Sequence, residues 1–540
     1  VFFVRDNLSP LDVLVVVAYM LWMLAIGIYY SRRQTDTSEY FLGRRSMNWL
    51  IVGISTMATL ISTITYLTMP GEVIANGFGV LWSQLSVWIA FFFVGYLIIP
   101  RIMSHKITSG YQLLEKQFGI RIRKAAACLF VLTRVTWTGL VVYTCSRAVS
   151  QMTGWSLEVV ILVVGIITVS YTTMGGIRAV IATDVTQAFI LFGGALLVVG
   201  FAMYSARSVV SWFPNFHDPV ISAGLSWPDV KFFSLNLTDR ITVVGIIVMY
   251  IVWWIATASS DQLAIQRYLS TRDANAARKS FLTNAVANTI VVVVLTLCGA
   301  ALIGFFVRNQ TLIPPAEELL RNAKPGVLEE VRKMLNDLPD LQGRLYVLKR
   351  GADDVFPWFI AHILPAGLSG VLIAALFSAA MSSVSSGVNS ITTVLMVDFA
   401  GMFRAARDER HRVKQARLTG IFVGMVAILV SFTQHLIHGN FMEVAQKING
   451  FFIAPMAALF IMAFFMKSTN AAGAWAAIAS GFLTGVVISY YGEISKLLTG
   501  NEVKVSFMYI LPFSLVVCLV AGYLVSLIRN KLKSIHSSTR

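Results

Sequence analysis

Charge is scarce in this chain: Asp, Glu, Lys and Arg together make 13% of 540 residues, while hydrophobic residues make 56%. With a mean hydropathy of +0.72, that balance excludes an ordinary soluble domain. Cysteine is nearly absent. The four thiols, Cys128, Cys145, Cys298 and Cys518, lie in or beside apolar runs without CxxC spacing, so they read as buried free thiols rather than disulfides or metal ligands. The histidines form no HExxH, and no GxSxG or acidic pair falls inside an apolar run, which argues against an enzyme. The net charge of +16 is not gathered into a basic domain, which leaves a nucleic-acid partner nothing to bind. No Pro/Gly/Ser-rich linker divides the chain, so residues 1–540 read as one integral membrane unit.

Apolar runs long enough to cross about 30 Å of hydrocarbon fill most of the length. Thirteen are expected: 11–30, 47–69, 79–100, 125–150, 156–173, 181–205, 241–263, 281–307, 358–397, 416–436, 443–466, 471–491 and 506–528. The predicted fold class is therefore an all-α polytopic membrane protein with about 13 transmembrane helices in a lipid bilayer. With the N-terminus outside, the inner segments hold 26 Lys and Arg, among them Arg32, Arg33, Arg44, Arg45 and the 404–417 loop. Outer segments hold 15, eight of them in the long 308–355 loop that the positive-inside rule exempts. The expected placement is a cell membrane, N-terminus outside and C-terminus cytoplasmic. The insert at 308–356 has helical patterning in EELLRNAKPGVLEEVRKMLNDLP, broken by Pro325 and Gly326, and is expected to lie over the outer face.

Two polar stretches interrupt the apolar runs. SAAMSSVSSGVNS (378–390) brings a row of serines and Asn389 into a membrane segment, and ISTMATLISTIT (54–65) does the same in the second span. Polar groups left unpaired in hydrocarbon cost several kcal/mol each. Such a concentration of oxygens suits a hard monovalent cation, Na⁺, bound by hydroxyls and by carbonyls freed where a helix unwinds. Ser382 and Ser383, with the carbonyl of Ala379 on the same face as Ser382, are the candidate ligands. The seventh span carries its own polar break, Thr257, Ser259, Ser260 and Asp261, five spans after the first, as two inverted repeats would place it.

Ionisable residues within spans are functional candidates. Asp184 reads as a coupling residue or as a structural carboxylate paired with Arg178, and Asp261 poses the same choice with Arg267 as partner. Arg134 is placed to meet an organic anion or to anchor its helix.

Five ordered stretches carry a family likeness: SEYFLGRRSMNWL (38–50), ITSGYQLLEKQFG (107–119), MGGIRAVIATDVTQ (174–187), DQLAIQRYLS (261–270) and LPAGLSGVLIAALFSAAMSSVSSGVNS (364–390). On these the chain resembles the sodium/solute symporter family, over about residues 10–530. The resemblance implies a LeuT-type 5+5 inverted repeat, residues 47–205 and 241–466, with one extra N-terminal and two extra C-terminal helices. It implies an Na⁺ site from the carbonyls of Ala58, Ile61 and Ala379 and the hydroxyls of Ser382 and Ser383. It assigns Asp184 to sodium coupling or a second Na⁺, with Ser385 and Ser386 beside it. Solute-binding positions implied or suspected are Ser62, Thr63, Thr65, Tyr66, Gln84, Arg134, Asp261 and Gln446. Trp254 and Asn288 stand where the family's bacterial galactose carrier has solute-contacting Asn and Lys, and Asp261 where many members have Asn. LISTITYLTMPGEV (60–73) with WTGLVVY (137–143) is closer to the monocarboxylate, iodide and multivitamin branch. The expected activity is Na⁺-coupled symport of a monocarboxylate or other organic anion, with a sugar as the alternative solute and a solute sensor on the same fold as a lower one.

Overall fold

Breaks in helices, more than their lengths, organise this chain. The computed structural model describes residues 8–32, 34, 36–320, 326–337, 340–400, 408–434 and 441–538; Arg33, Pro325, Arg404 and Arg407 of the sequence reading lie outside that set. Helices α1 (Pro10–Ser31), α2 (Thr37–Leu42), α3 (Trp49–Leu60), α4 (Thr63–Asn76) and α5 (Gln84–Phe93) come first. Short α6 (Ile99–Met103) and α7 (Gln112–Phe118) lead into long α8 (Ile120–Thr153) and α9 (Leu157–Ala206). After α10 (Pro219–Leu225) come α11 (Val243–Ser260), α12 (Gln262–Ser270) and α13 (Ala274–Arg308). The insert folds as α14 (Ala316–Leu319), α15 (Val327–Asp337), α16 (Asp340–Arg350) and α17 (Ala352–His362). The chain continues through α18 (Leu368–Asp398), α19 (Glu409–Thr433), α20 (Phe441–Ile448), α21 (Ala454–Phe465), α22 (Ala471–Ser489), α23 (Tyr491–Thr499) and α24 (Ile510–Ser538). Among the described residues there is no strand beyond two isolated bridges.

Among the described residues eleven helices are long and apolar enough to cross a membrane by length and composition, against the thirteen spans expected. Two differences have plain causes. Helix α3 stops after 12 residues at the break, so it falls short of a crossing by itself. Helix α9 runs through two expected spans as one 50-residue unit that bends at Gly176 instead of ending. At φ +57° this residue occupies the left-handed region, and a Cβ there would lie 2.7 Å from the Tyr40 carbonyl oxygen, so only glycine fits.

Helix α18 is the axis of the bundle. Every residue from Leu372 to Val394 is buried, and α1, α8, α9 and α19 pack around it. Because its neighbours are protein on all sides, it tolerates hydroxyls that lipid would not. Its start is pinned by Asp12, whose Oδ1 accepts from the backbone N–H of Gly367 at 2.7 Å and of Gly370 at 2.8 Å.

Candidate functional site

Two breaks interrupt the helices, between α3 and α4 and between α11 and α12, and both lie beside α18. Between α3 and α4 the backbone extends at Ile61 (ψ 93°) and Ser62 (ψ 173°), which releases the carbonyls of the last turn of α3 from helical bonding. Helix α18 meets them. Ser382 Oγ donates to the Ala58 carbonyl at 2.8 Å and to the Ala379 carbonyl at 3.3 Å, and Ser383 Oγ donates to the Thr59 carbonyl at 2.9 Å. Ala58, Ile61, Ala379, Ser382 and Ser383 are all buried. The structure thus gathers the five expected Na⁺ ligands around one break. A hydroxyl can turn its lone pairs to a cation once its proton swings away from the carbonyl, so hydroxyls bonded in this way remain chemically able to ligate one.

One helical turn closer to Gly43, a charged cluster fills the space between α3, α9, α12 and α18. Asp184 Oδ2 accepts from Ser55 Oγ at 2.6 Å, Arg267 Nη2 at 2.8 Å and Thr59 Oγ1 at 3.2 Å. Arg267 also donates to Ser386 Oγ at 2.6 Å and to the Leu263 carbonyl at 3.1 Å. Asp184 and Arg267 are fully enclosed. Asp184 Oδ1 has no protein partner. Of the residues expected with Asp184, Ser386 is in the cluster, whereas Ser385 Oγ donates to the Ser382 carbonyl at 3.1 Å.

Both expected ion-pair partners are corrected. Asp184 pairs with Arg267, not Arg178, which pairs instead with Glu39. Asp261 pairs with Arg134, not Arg267. Each expected pair lay six residues apart in one helical segment. At 3.6 residues per turn that is about 600°, so the two side chains leave on different sides. Arg134 is therefore not an open cation facing an anion.

The second break, between α11 and α12, has Asp261 at its corner. Its Oδ1 caps α12 by accepting from Leu263 N–H at 3.0 Å and also takes Arg134 Nε at 3.3 Å. All nine residues of α12 are buried. Gln262 clasps the α7 approach, accepting from Gly110 N–H at 2.8 Å and donating to the Thr108 carbonyl at 2.9 Å. Gln266 reaches the Phe41 carbonyl at 2.7 Å and Thr393 Oγ1 at 3.0 Å. The side of the molecule bearing Gly43 and α12 is thus tightly sealed.

On the other side of the α3–α4 break lies a cavity of about 110 Å³, room for several water molecules or a compact solute. Ser62, Thr65, Gln84 and Gln446, all expected solute positions, line it. Thr63 and Tyr66, expected beside them, point elsewhere: Thr63 Oγ1 donates to the Leu376 carbonyl at 3.3 Å and Tyr66 Oη to the Leu191 carbonyl at 3.2 Å. Positions 62, 65 and 69 share one face of α4 and 63 and 66 the next, as helical spacing requires. Arg134 and Asp261 do not line the cavity either. Its walls add Trp137, Tyr250, Trp253, Trp254, Asn288 and Asn449, and among the described residues no charged side chain lines it. Asn288 Nδ2 donates to Gln84 Oε1 at 3.1 Å. Ser62 Oγ and Gln446 Oε1 are buried without a protein partner. Asn449 reaches the wall through a π-helical turn, Asn449–Ile453, that α-periodicity does not foretell. The aromatic run at Tyr250, Trp253 and Trp254 was visible in sequence but reads equally as a lipid-facing stripe.

Comparison with known proteins identifies the family and the fold. A family model described as the sodium:solute symporter family matches residues 40–481. The sodium/sialic acid symporter SiaT of Proteus mirabilis is 25% identical over 486 residues, 89% of this chain and 90% of the relative. The sodium/sialic acid symporter NanT of Aliivibrio fischeri is 25% identical over 537 residues, 98% and 95% of the two chains. A putative sodium-dependent multivitamin transporter of Drosophila melanogaster is 27% identical over 480 residues, 87% and 73%. A solved structure of a substrate-bound, outward-open Na⁺-coupled sialic acid symporter shares the fold at a TM-score of 0.77 and 23% identity, covering 96% of this chain and 98% of that one. The expected LeuT-type, all-helical membrane fold is the observed one. The chain belongs to the sodium:solute symporter family and is a multi-pass, Na⁺-coupled carrier of a small organic solute, not an enzyme.

Proposed function

We propose that the solute is uncharged and hydroxyl-bearing, of sugar-like chemistry, and that it enters the cavity beside the α3–α4 break while Na⁺ occupies Ala58, Ile61, Ala379, Ser382 and Ser383. One observation carries the reading: Ile61 belongs both to the proposed ion ligands and to a cavity wall of amides, hydroxyls and indoles that, among the described residues, holds no charged side chain. Indole faces suit the apolar faces of a sugar ring, and the amides of Gln84, Asn288, Gln446 and Asn449 suit its hydroxyls. Ser62 Oγ and Gln446 Oε1 supply a donor and an acceptor not otherwise used.

Coupling follows from the shared break. An ion drawn to the Ala58 and Ile61 carbonyls fixes the extended backbone, and with it the direction in which Ser62 faces the solute. Solute must then raise Na⁺ affinity by the factor that Na⁺ raises solute affinity. The sealed Gly43 side and the cavity on the other are the two ends of an alternating-access path. One Na⁺ moving down 100 mV and a tenfold gradient supplies about 3.7 kcal/mol, enough for several-hundred-fold accumulation. Asp184 with Ser386 is proposed as the coupling cluster, and its free Oδ1 as the position from which a second Na⁺ is held. The two repeats are assigned to 47–205 and 241–466, the insert at 308–356 to the outer face, and the protein to the cell membrane with its N-terminus outside.

The test is Na⁺-driven uptake by purified protein in proteoliposomes across sugars, amino acids, monocarboxylates and sialic acid. Accumulation of a neutral sugar or polyol that collapses without Na⁺ supports the reading; preference for a carboxylate sinks it. The organic-anion reading keeps the support of the sialic acid, multivitamin and monocarboxylate relatives and of the 60–73 and 137–143 stretches, and it requires Arg134 to leave Asp261.

A further inference from the structure

We propose that Asp261 sets the charge selectivity of this carrier by holding the Arg134 guanidinium out of the solute cavity; this rests on the uncharged-solute reading. The pair lies on two helices that contribute walls to the cavity, without itself lining it. Arg134 lies one helical turn from Trp137 on α8, and Trp137 lines the cavity. Asp261 ends α11, the helix that contributes Tyr250, Trp253 and Trp254. Both partners are buried, Arg134 at 8% exposure and Asp261 at 2%. Two guanidinium nitrogens face the carboxylate: Nη2 is in close contact with Oδ2, and Nε lies 3.3 Å from Oδ1.

The two partners differ in freedom. Asp261 is fixed by the backbone, because its Oδ1 also caps α12 through Leu263 N–H at 3.0 Å. Arg134 hangs on a long, flexible stem from an unbroken helix. The planar fork of an arginine accepts any carboxylate of the right reach, and here the protein supplies its own. An incoming acid must displace an anion that is covalently held in place and already desolvated, whereas a neutral solute meets no such competitor. A buried guanidinium stripped of Asp261 has no such occupant and recruits an anion from the cavity.

Substituting Asn at 261 preserves the cap, since Asn caps a helix as well as Asp does, and removes only the charge. The test measures acid binding to purified protein in saturating Na⁺ through intrinsic tryptophan fluorescence, which Trp137, Trp253 and Trp254 make sensitive to the cavity. The probes are two matched pairs, D-glucose with D-glucuronate and D-galactose with D-galacturonate, and N-acetylneuraminate as a larger acid. At least one acid is expected to bind ten times or more tighter to D261N than to the native protein, and the gain is expected to vanish in the double variant R134Q/D261N. D261S, which keeps a capping hydroxyl, repeats the measurement where D261N does not fold, and D261E is expected to restore native behaviour. Equal acid affinity in native protein and D261N or D261S overturns the inference, as does a gain that survives loss of Arg134. Native protein that prefers the acid members sinks the uncharged-solute reading instead, a result separable from the other two.

Discussion

Ser382 and Ser383 each spend a hydroxyl on a carbonyl of the opposite, broken helix. Replacing either by Ala removes one oxygen from the proposed ion shell and leaves a buried carbonyl short of a donor, a loss of about 1–2 kcal/mol. S382A and S383A are therefore expected to raise the Na⁺ concentration for half-maximal uptake roughly tenfold, with solute affinity at saturating Na⁺ little changed; unchanged Na⁺ dependence in both would remove the site. Asp184 answers to a different term. Asn at 184 leaves Arg267 buried beside neutral groups, and breaking an enclosed ion pair from one side costs about 3–5 kcal/mol. D184N is expected to melt well below the native protein in detergent, and D184N/R267Q to recover part of that loss; additive melting shifts would show that the pair is not coupled. These residues were legible in sequence to unequal degrees. Hydroxyls at 382, 383 and 386 stand out because hydrocarbon offers them no water. The partners of Asp184 and Asp261 did not, because a charge signals only that some partner exists. Sequence neighbours six positions off are the wrong side of a helix, and the true partners, Arg267 and Arg134, are distant along the chain.

At the scale of elements, the two breaks were visible as clusters of small polar residues, and the spacing of α4 sorts what the composition could not. Ser62 and Thr65 face the cavity and Thr63 and Tyr66 face the scaffold. The expected consequence is a split in kinetics: T65A raises the solute KM severalfold, while Y66F leaves solute affinity alone and weakens packing against α9. A KM effect confined to Y66F would reverse the assignment of faces. The kink in α9 was not legible, since glycine is frequent in membrane helices and only the approach of Tyr40 singles out Gly176. G176A forces a Cβ against the Tyr40 carbonyl in a backbone region where side chains cost about 1–3 kcal/mol. A lower melting temperature, by several degrees, is expected; an unshifted melt would mean that the bend relaxes freely.

At the scale of the whole molecule, ion pairs lace both ends. The Gly43 end adds Glu39 with Arg44 and Arg178, and Asp398 with Arg123, to its neutral clasps and the enclosed Asp184–Arg267 pair, whereas at the opposite end carboxylates crowd one another. There Glu72 on α4 makes a two-pronged pair with Arg240, 2.5 and 2.9 Å. Asp353 on α17 lies against Gly71, one residue away, so that a Cβ at Gly71 would sit 3.1 Å from its Oδ1. Part-exposed Asp353 is pushed up from 3.8 to about 6, chiefly by desolvation under α4, then by the neighbouring charges of Asp354 and Glu72; Arg147 and Arg240 pull the other way. The sign follows from linkage. An acid whose folded pKa lies above its unfolded value binds its proton more tightly when packed, so its charged form destabilises the packed state. That cost is complete above about pH 6, shrinks as pH falls through about 6, and is gone near 3.8. Acidification from pH 7 to 5 is thus expected to strengthen the hold of α17 on α4. Thermal melts of the purified carrier should show a stabilising component over that interval that D353N lacks, the variant at pH 7 matching the native protein only near pH 4, where the cost has gone. Because α17 packs on α4, which lines the cavity, the same change should slow Na⁺-driven uptake when the solution on that face is made acidic, and D353N should be slow at either pH. Parallel pH profiles for native protein and D353N, in melts and in uptake alike, would show that the closure of this end owes nothing to that proton.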